Sequence, residues 1–304
     1  MESLLGFGIF FVSFAGIYAI LALGLNVQWG YTGLFNIGIA AFFAVGAYTA
    51  AILTTPESPN HLGGFGLPMI AGFVVAMLVA AVLALAIGLI TLRLREDYLA
   101  IASIGLAEIV RLVLKNEEWL TNGTRGITAI PRPTSVTFFV IVAVAVLVTY
   151  WLVERARRSP WGRTVRAVRE QEQAALAAGK NVVRFRLEAF VFGSALMGLA
   201  GALYAHFQGF VGPEAFEPMF GTFIVWVMLI AGGSGNNRGA LVGAFLVWGL
   251  YAVTGFVATL VPPEFATQAS AARVVLVGVL LIVVLLYRPE GLLPESRRVG
   301  PGPD

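Results

Sequence analysis

The chain has 304 residues, of which 58% are hydrophobic and only 12% are charged, whereas a soluble domain usually carries about a quarter charged residues. This composition excludes a soluble globular protein, because no packed core could bury so much apolar surface, and it indicates that lipid is the solvent. The absence of cysteine excludes disulfide bonds, thiol catalysis and iron–sulfur ligation.

Apolar stretches long enough to cross a bilayer, about 20 residues each, follow one another along the chain. The candidate spans are 4–27, 34–54, 67–92, 98–115, 135–153, 187–207, 220–232, 240–261 and 272–287. The seventh is too short to cross straight and is followed by several glycines, so we expect it to break or to re-enter. The first lacks a basic segment and an evident cleavage site, so we interpret it as a retained span. We predict an all-α polytopic membrane protein, a single transmembrane domain over 1–304 with about eight to ten transmembrane helices.

Positive charge is concentrated in one polar segment, 154–186, which holds nine of the twenty Lys and Arg residues. Because Lys and Arg are retained on the cytoplasmic side of membranes, we expect this loop and the tail 288–304 to be cytoplasmic. The charge then serves topology rather than nucleic-acid binding. Alternation of the spans places Arg93, Arg95 and Arg238 on the same side. The segments expected on the outer side are 55–66, 116–134, 208–219 and 262–271; nine crossings would also place the N-terminus there, unless the first helix pair is broken.

Two glycine-rich breaks resemble each other, Gly30-Tyr31-Thr32-Gly33 and Gly232-Gly233-Ser234-Gly235, and each precedes a helix rich in small residues. Discontinuous helices mark the transport sites of some transporters. An ordinary turn with close helix packing is the alternative. The candidate residues of a translocation path or gate at these breaks are Asn26, Gln28, Gly30, Gly33, Asn36, Gly232, Gly235 and Asn236.

A second candidate for the path is the pair Glu108 and Arg111, which lie three residues apart on one face of a predicted helix. Charged groups in a membrane usually face protein or water, so this pair forms a polar wall of a path, an ion pair that holds two helices together, or groups near the outer interface. No P-loop motif occurs. His61 and His206 stand without a cluster of ligands, so we expect no metal site and no catalytic site.

Within 154–186, the stretch 161–179 has helical periodicity and predicts one amphipathic helix. Trp161, Val165, Val168 and Leu176 fall near one face, and Arg163, Arg166, Glu170 and Gln173 near another. Ala174 and Ala175 permit close approach of another protein, and Gly179 is a predicted helix-terminating glycine. The spacing is equally consistent with protein docking and with a helix that rests on lipid headgroups.

Several segments resemble the LivM-type permeases, the membrane subunits of branched-chain amino acid ABC importers. They are GLNVQWGYTGLFNIGIAAFFAVGAY, RLREDYLAIASIGLAEIVRLVL, the stretch from SPWGRTVRAVREQEQAALAAGK to GFVGPEAF, and LLYRPEGLLP at the end. The resemblance spans almost the whole chain, and the motifs occur in the family's order.

The resemblance implies a BtuC-like (type II) importer fold in the bacterial inner membrane, without a cofactor. The implied partners are a LivH-type permease, two LivG/LivF-type ATPase subunits that hydrolyse ATP, and an extracytoplasmic substrate-binding protein. The implied coupling helix contains Trp161, Arg163, Arg166, Arg169, Glu170, Glu172, Gln173, Ala174, Ala175 and Gly179. Gln173 occupies the place where importers often have a glutamate. The implied solutes are leucine, isoleucine and valine. Urea or short amides, and a stand-alone carrier that uses Glu108 as a proton site, are the alternatives.

Overall fold

The computed structural model describes residues 2–59, 61–92, 96–259, 262 and 266–295. Within these ranges the chain forms α-helices joined by short loops, and no β-strand beyond one isolated antiparallel bridge between Ile127 and Val211. The helices are α1 (Glu2–Leu25), α2 (Ile39–Thr54), α3 (Met69–Thr91), α4 (Glu96–Asn116), α5 (Glu118–Thr121), α6 (Ser135–Arg158), α7 (Pro160–Glu170), α8 (Glu172–Ala177), α9 (Val182–Gln208), α10 (Ile224–Gly232), α11 (Asn237–Thr259) and α12 (Ala266–Tyr287). The prediction of an all-α polytopic protein is confirmed.

Five helices among the described residues are long and apolar enough to cross a membrane, and three apolar helices are shorter. The long ones are Gly6–Gly30, Met69–Thr91, Ser135–Arg158, Val182–Gln208 and Asn237–Gly255, and the short ones are Ile39–Thr54, Met219–Gly232 and Ala271–Tyr287. Helix α4 coincides with the predicted span 98–115, but its charged residues set it apart from both groups. The seventh predicted span is indeed short, and it begins with a π-type turn at Met219–Phe223.

Helices α1 and α9 form the centre of the bundle. In their most apolar stretches 72% and 67% of the residues are buried, against 22% in the corresponding stretches of α3 and α6. Small residues allow this packing. A Cβ atom at Gly201 of α9 would lie 2.0 Å from the carbonyl oxygen of Phe43 in α2, and one at Gly46 would lie 2.1 Å from the carbonyl oxygen of Gly198. The stripe of α3 that is buried consists of Gly72, Ala76, Ala80, Ala84 and Gly88, as expected where helices meet at close range.

One end of the bundle, here called the basic end, brings 154–186 together with the segment after α1 and the segment after α12. Arg169 donates one hydrogen bond to the carbonyl of Gly30 and another to the carboxylate of Glu295. Residues 154–186 and the described part of the C-terminal tail, which were predicted to share one side of the membrane, therefore lie at the same end of the bundle. Arg93, Arg95 and residues 296–304, which were predicted on the same side, lie outside the described residues.

The opposite end is formed by the connections after α2, α4 and α9. The N–H of Leu62 donates to the carbonyl of Trp119 over 2.7 Å, and Ile127 pairs with Val211. His206, near the end of α9, is hydrogen-bonded through Nδ1 to the carbonyl of Pro131 at 2.9 Å. Three loops predicted to share one side of the membrane thus meet at the same end.

Two helix boundaries near the first break differ from the prediction. Helix α1 does not stop near residue 27, because a π-type turn at Asn26–Gly30 continues it through residue 32. The second predicted span then begins too early, since residues 33–38 are not helical and α2 starts only at Ile39. Gly33 has a φ of +73°, a conformation that glycine adopts without the steric cost of a side chain.

Candidate functional site

The polar loop consists of two short helices, so the prediction of one helix over 161–179 is wrong. Helix α7 begins with Ser159, whose side chain accepts from Gly162 N at 3.2 Å, and with Pro160 in its first turn, a typical helix start. It ends at Gln171, whose φ of −149° and ψ of 88° are not helical. The predicted terminating glycine is confirmed, because Gly179 has a φ of +73° and follows α8.

The break at Gln171 changes which residues of the loop are buried. Val165 and Val168 are buried as predicted, and Trp161 is half-buried with its Nε1 donating to Glu188. Ala175, expected on an open surface, is only 6% exposed and packs with Val168 and Val182. Leu176, expected on the buried face, is 53% exposed. The predicted register holds in α7 and fails in α8.

The exposed tip of the loop is apolar and acidic rather than basic. Glu170, Glu172, Gln173, Ala174 and Leu176 are all exposed. Most arginines of the loop are instead bonded within the protein. The contacts are Arg184 to Glu188 at 2.8 Å, Arg186 to Glu172 at 2.9 Å, Arg157 to Glu154 at 2.6 Å, and Arg166 to the Arg157 carbonyl at 3.3 Å. Arg163 is exposed beside an open groove between α7 and α8.

Arg169 points away from this tip and into the protein. Its Nη2 lies 2.7 Å from Oε2 of Glu295, and the two side chains are only 25% and 21% exposed. Its Nη1 donates to the carbonyl of Gly30. The arginine stem passes beside Gly33, where a Cβ would lie at ordinary contact distance, 3.4 Å from Arg169 Cγ. The guanidinium thus joins the loop, the end of α1 and the C-terminal segment.

The two glycine-rich breaks meet directly behind Arg169. Asn26 Oδ1 accepts from the N–H of Gly235 at 2.7 Å, and Asn26 Nδ2 donates to Asn237 Oδ1 at 2.9 Å. The same Asn237 oxygen accepts from the hydroxyl of Tyr31, and Asn237 Nδ2 donates to Glu154 at 2.8 Å. We call this group the basal junction; it comprises Asn26, Gly30, Tyr31, Glu154, Arg169, Gly235, Asn237 and Glu295.

Glycine is required where the breaks touch. A Cβ at Gly30 would lie 2.0 Å from Asn26 Oδ1 and 2.6 Å from Gly235 N, and a Cβ at Gly235 would lie 2.6 Å from Glu295 Oε2. Gly232 packs against Gly239, whose carbonyl oxygen would be 2.0 Å from a Cβ. Asn236 is half-buried and donates to the carbonyls of Leu293 and Pro294 at 3.2 Å. The breaks are therefore packed against the tail.

A second buried network holds the non-helical segment 33–38. Gln28 Nε2 donates to the carbonyl of Phe190 at 2.9 Å and to Ser194 Oγ at 3.0 Å, and Gln28 Oε1 accepts from Asn36 Nδ2 at 2.8 Å. Asn36 Oδ1 accepts from Gly38 N at 2.8 Å. Asn26, Gln28 and Asn36 are each 0% exposed. Their amides are bonded to protein, so none of the three is open to a solute in this conformation.

Glu108 and Arg111 form a bidentate ion pair, with contacts of 2.9 and 2.6 Å. The alternative of an ion pair between two helices is wrong, because both residues lie on α4. Glu108 is 43% exposed and Arg111 21%, and the carboxylates of Glu214 and Glu217 lie near enough to act on Arg111. The pair belongs to the half of α4 that leads to the opposite end, on the helix face that exposes Ile101 and Leu112.

Four members of the basal junction were absent from the predicted sites: Tyr31, Glu154, Asn237 and Glu295. Tyr31 and Asn237 lie within or next to the glycine-rich breaks, so proximity in sequence was a usable signal for them. Glu154 and Glu295 had no such signal, because they reach the junction only through the fold. Among the residues that the structure describes, no group of three His, Asp or Glu side chains could hold a metal ion.

The chain has clear relatives among known proteins. The sequence profile described as "Branched-chain amino acid transport system / permease component" matches residues 8–285. The high-affinity branched-chain amino acid transport system permease protein LivM of Salmonella typhimurium is 34% identical, over 92% of this chain and 68% of the relative. The probable LivM of Methanocaldococcus jannaschii is 27% identical over 94% and 93%. The permease protein LivH of Salmonella typhimurium is 24% identical over 95% of each chain. No solved structure gives a significant match.

Proposed function

Because the chain belongs to the family of branched-chain amino acid transport permease components, we propose that it is the membrane-spanning subunit of an ATP-driven importer for leucine, isoleucine and valine. The observation that carries the proposal is that Arg169, next to the exposed loop tip, binds Gly30 and Glu295 of the basal junction, where the two helix breaks meet. A force applied to the tip reaches the parts of the bundle that are not continuous helix.

The ATPase is a separate protein that docks on α7 and α8. The chain has no P-loop, so it does not hydrolyse ATP by that route. The tip offers an exposed leucine, small residues and two carboxylates next to an open groove. Exposed apolar side chains rimmed by polar ones are typical of protein interaction sites. Ala175 belongs to the packing of the loop itself, so Leu176 and Ala174 replace it in the proposed contact surface.

A second permease of the LivH type covers part of the apolar surface of the bundle. The chain is similar to proteins named LivM and to a protein named LivH, which supports two related subunits that pack side by side. Helices α3 and α6 are only 22% buried. An extracytoplasmic binding protein delivers the solute at the opposite end.

The basic end faces the cytoplasm. Nine of twenty Lys and Arg residues lie in 154–186, whereas the loops at the opposite end contain Arg125 and Arg132, with Lys115 close by. This asymmetry supports the orientation, because Lys and Arg are retained inside. We propose the inner membrane of a bacterium as the location.

The breaks act as a gate rather than as a wall of the path. Asn26, Gln28 and Asn36 are buried and bonded to protein, and Gly30, Gly33, Gly232 and Gly235 provide the close contacts and unusual backbone angles of the gate. A stand-alone proton carrier is disfavoured, because the Glu108 carboxylate is occupied by both nitrogens of an Arg111 fork.

Reconstitution tests this function. The chain is purified with a second permease, the two ATPases and the binding protein, and uptake of labelled leucine into proteoliposomes is measured with and without ATP. The competing solute class is tested with labelled urea in the same vesicles. Leucine uptake that needs ATP supports the proposal, and uptake driven by a proton gradient without the ATPases contradicts it.

The docking surface is tested by Leu176→Glu. A charge placed in an apolar contact should weaken ATPase binding by roughly tenfold or more, since central contact residues each contribute at least about 1–2 kcal/mol. The matched control is Leu62→Glu at the opposite end, where the leucine is 43% exposed. Co-purification of the ATPases should fall for Leu176→Glu and persist for Leu62→Glu. Equal co-purification of both variants contradicts docking on α8.

A further inference from the structure

The arginine that leaves the loop tip has a different role from its neighbours. Arg169 is next to Glu170 of the exposed tip, yet its partners Gly30 and Glu295 are 139 and 126 residues away in sequence. An arginine fork donates in two directions from one rigid plane. Here one N–H binds a backbone carbonyl at the end of a helix and another binds a carboxylate. A contact of this kind passes a movement of α7 on to both of its partners.

Each of its two partners is fixed to a helix break. Gly30 closes the π-type turn whose Asn26 binds the N–H of Gly235 at 2.7 Å. Glu295 ends a segment held against the second break, since Leu292 N donates to Ala231 O and Leu293 N to Gly232 O, both at 2.9 Å. The guanidinium is therefore linked to the first break by its bond to the Gly30 carbonyl. It is linked to the second break through Glu295, whose segment is hydrogen-bonded to that break.

The position of Arg169 in the loop favours a moving contact. Val165 and Val168 bury the other face of α7, and Val168 packs with Ala175 of α8 and with Val182 at the start of α9, so α7 and α8 are joined to each other by packing. Besides Glu295, the charged group nearest to Arg169 is Glu170 of the same helix at 3.6 Å. A displacement of α7 and α8 thus changes the Arg169 contacts first.

We propose that Arg169 is the positioning residue that carries the movement of the docked loop to both helix breaks, with the segment 292–295 as a strap between them. The proposal rests on the proposed function, since it presumes an ATPase on the loop. Without Arg169 the ATPase still docks on α8 and hydrolyses ATP, but the two helix breaks no longer move with the loop. The expected defect is uncoupling, not loss of assembly.

The test compares uptake and ATP hydrolysis in the reconstituted complex. Arg169→Gln removes the fork, and Glu295→Gln removes only the ion pair. The matched control is Arg184→Gln at the same end, whose arginine is 73% exposed and pairs with Glu188. We expect leucine taken up per ATP to fall by roughly 5- to 150-fold in Arg169→Gln, the range of couplings between distant sites. Leucine uptake per ATP should fall less in Glu295→Gln, and in Arg184→Gln it should equal that of the unaltered protein.

A charge reversal separates positioning from folding. The double variant Arg169→Glu with Glu295→Arg restores the ion pair but not the bond to the Gly30 carbonyl. Leucine uptake per ATP should therefore recover in part. The proposal is overturned if uptake and ATP hydrolysis fall in parallel in Arg169→Gln, or if neither changes. Loss of the ATPases from purified Arg169→Gln complexes overturns it as well. Failure of the unaltered complex to take up leucine with ATP refutes the proposed function instead.

Discussion

Replacing Asn237 by leucine gives the most direct measure of the basal junction. Asn237 is 1% exposed, and its side chain accepts from Asn26 at 2.9 Å and from Tyr31 and donates to Glu154 at 2.8 Å. Leucine has a similar size but no polar atom, so two buried donors lose their acceptor. Each unsatisfied donor costs about 1–3 kcal/mol, which the better burial of leucine offsets only in part. The Glu154 carboxylate keeps Arg157 and Arg158. We expect a net loss of about 2–4 kcal/mol.

Tyr31→Phe is the matched comparison, because it removes one donor and leaves the Asn237 oxygen bonded to Asn26. Its expected cost is a single net hydrogen bond, about 0.5–1.5 kcal/mol. The free energy of unfolding of both variants is measured in detergent by denaturant titration, followed by the fluorescence of tryptophan. If the junction behaved like an average hydrogen bond between membrane helices, about 0.6 kcal/mol, both variants would show the same small loss. That result would refute the view that the junction is a cooperative buried network.

The other predictions concern helix packing and orientation. Gly201→Ala should cost about 1–3 kcal/mol of stability by overpacking, because its Cβ would lie 2.0 Å from the Phe43 carbonyl. Gly105→Ala on exposed α4, with nothing within 4 Å, is the control and should be neutral or slightly stabilising; equal melting temperatures would contradict the packing. Since the chain has no cysteine, single cysteines at exposed Gln173 and Glu118 should react with a membrane-impermeant maleimide from the inside and the outside of cells, respectively. The reverse pattern would invert the proposed topology.

The sequence was sufficient for features that depend on local chemistry. Long apolar stretches had to become helices, because lipid satisfies no backbone hydrogen bond. Gly179 was predictable as a helix terminus, because the turn there uses a φ of +73° that glycine adopts most readily. The glycine clusters predicted breaks at the correct places to within a few residues.

Contacts between distant segments were not predictable in the same way. Asn26 and Gly235 are 209 residues apart, and nothing in either break specifies the other. Gly30 approaches the backbone of Gly235, whereas Gly232 approaches Gly239 and Gly233 approaches Leu293, and these contacts are evident only once the segments are placed together. Glu295 follows an apolar span near the chain's end and carries no local signal of a partner. Counting polar residues near a break therefore found Asn26 and Gln28 as candidates for a path or gate, but it did not identify the protein groups that their amides bind.

The loop shows why charge predicted its side of the membrane better than its contacts. Orientation depends on how many basic residues a loop carries, so it is insensitive to where each one points. A contact surface depends on register, and one non-helical residue is enough to change it. Gln171 carries no glycine or proline signal, yet its ψ of 88° rotates α8 relative to α7, which buries Ala175 and exposes Leu176. Most of the arginines counted for topology are bonded to other groups of the protein, and the exposed side chains of α8 include Leu176, which the charge pattern did not single out.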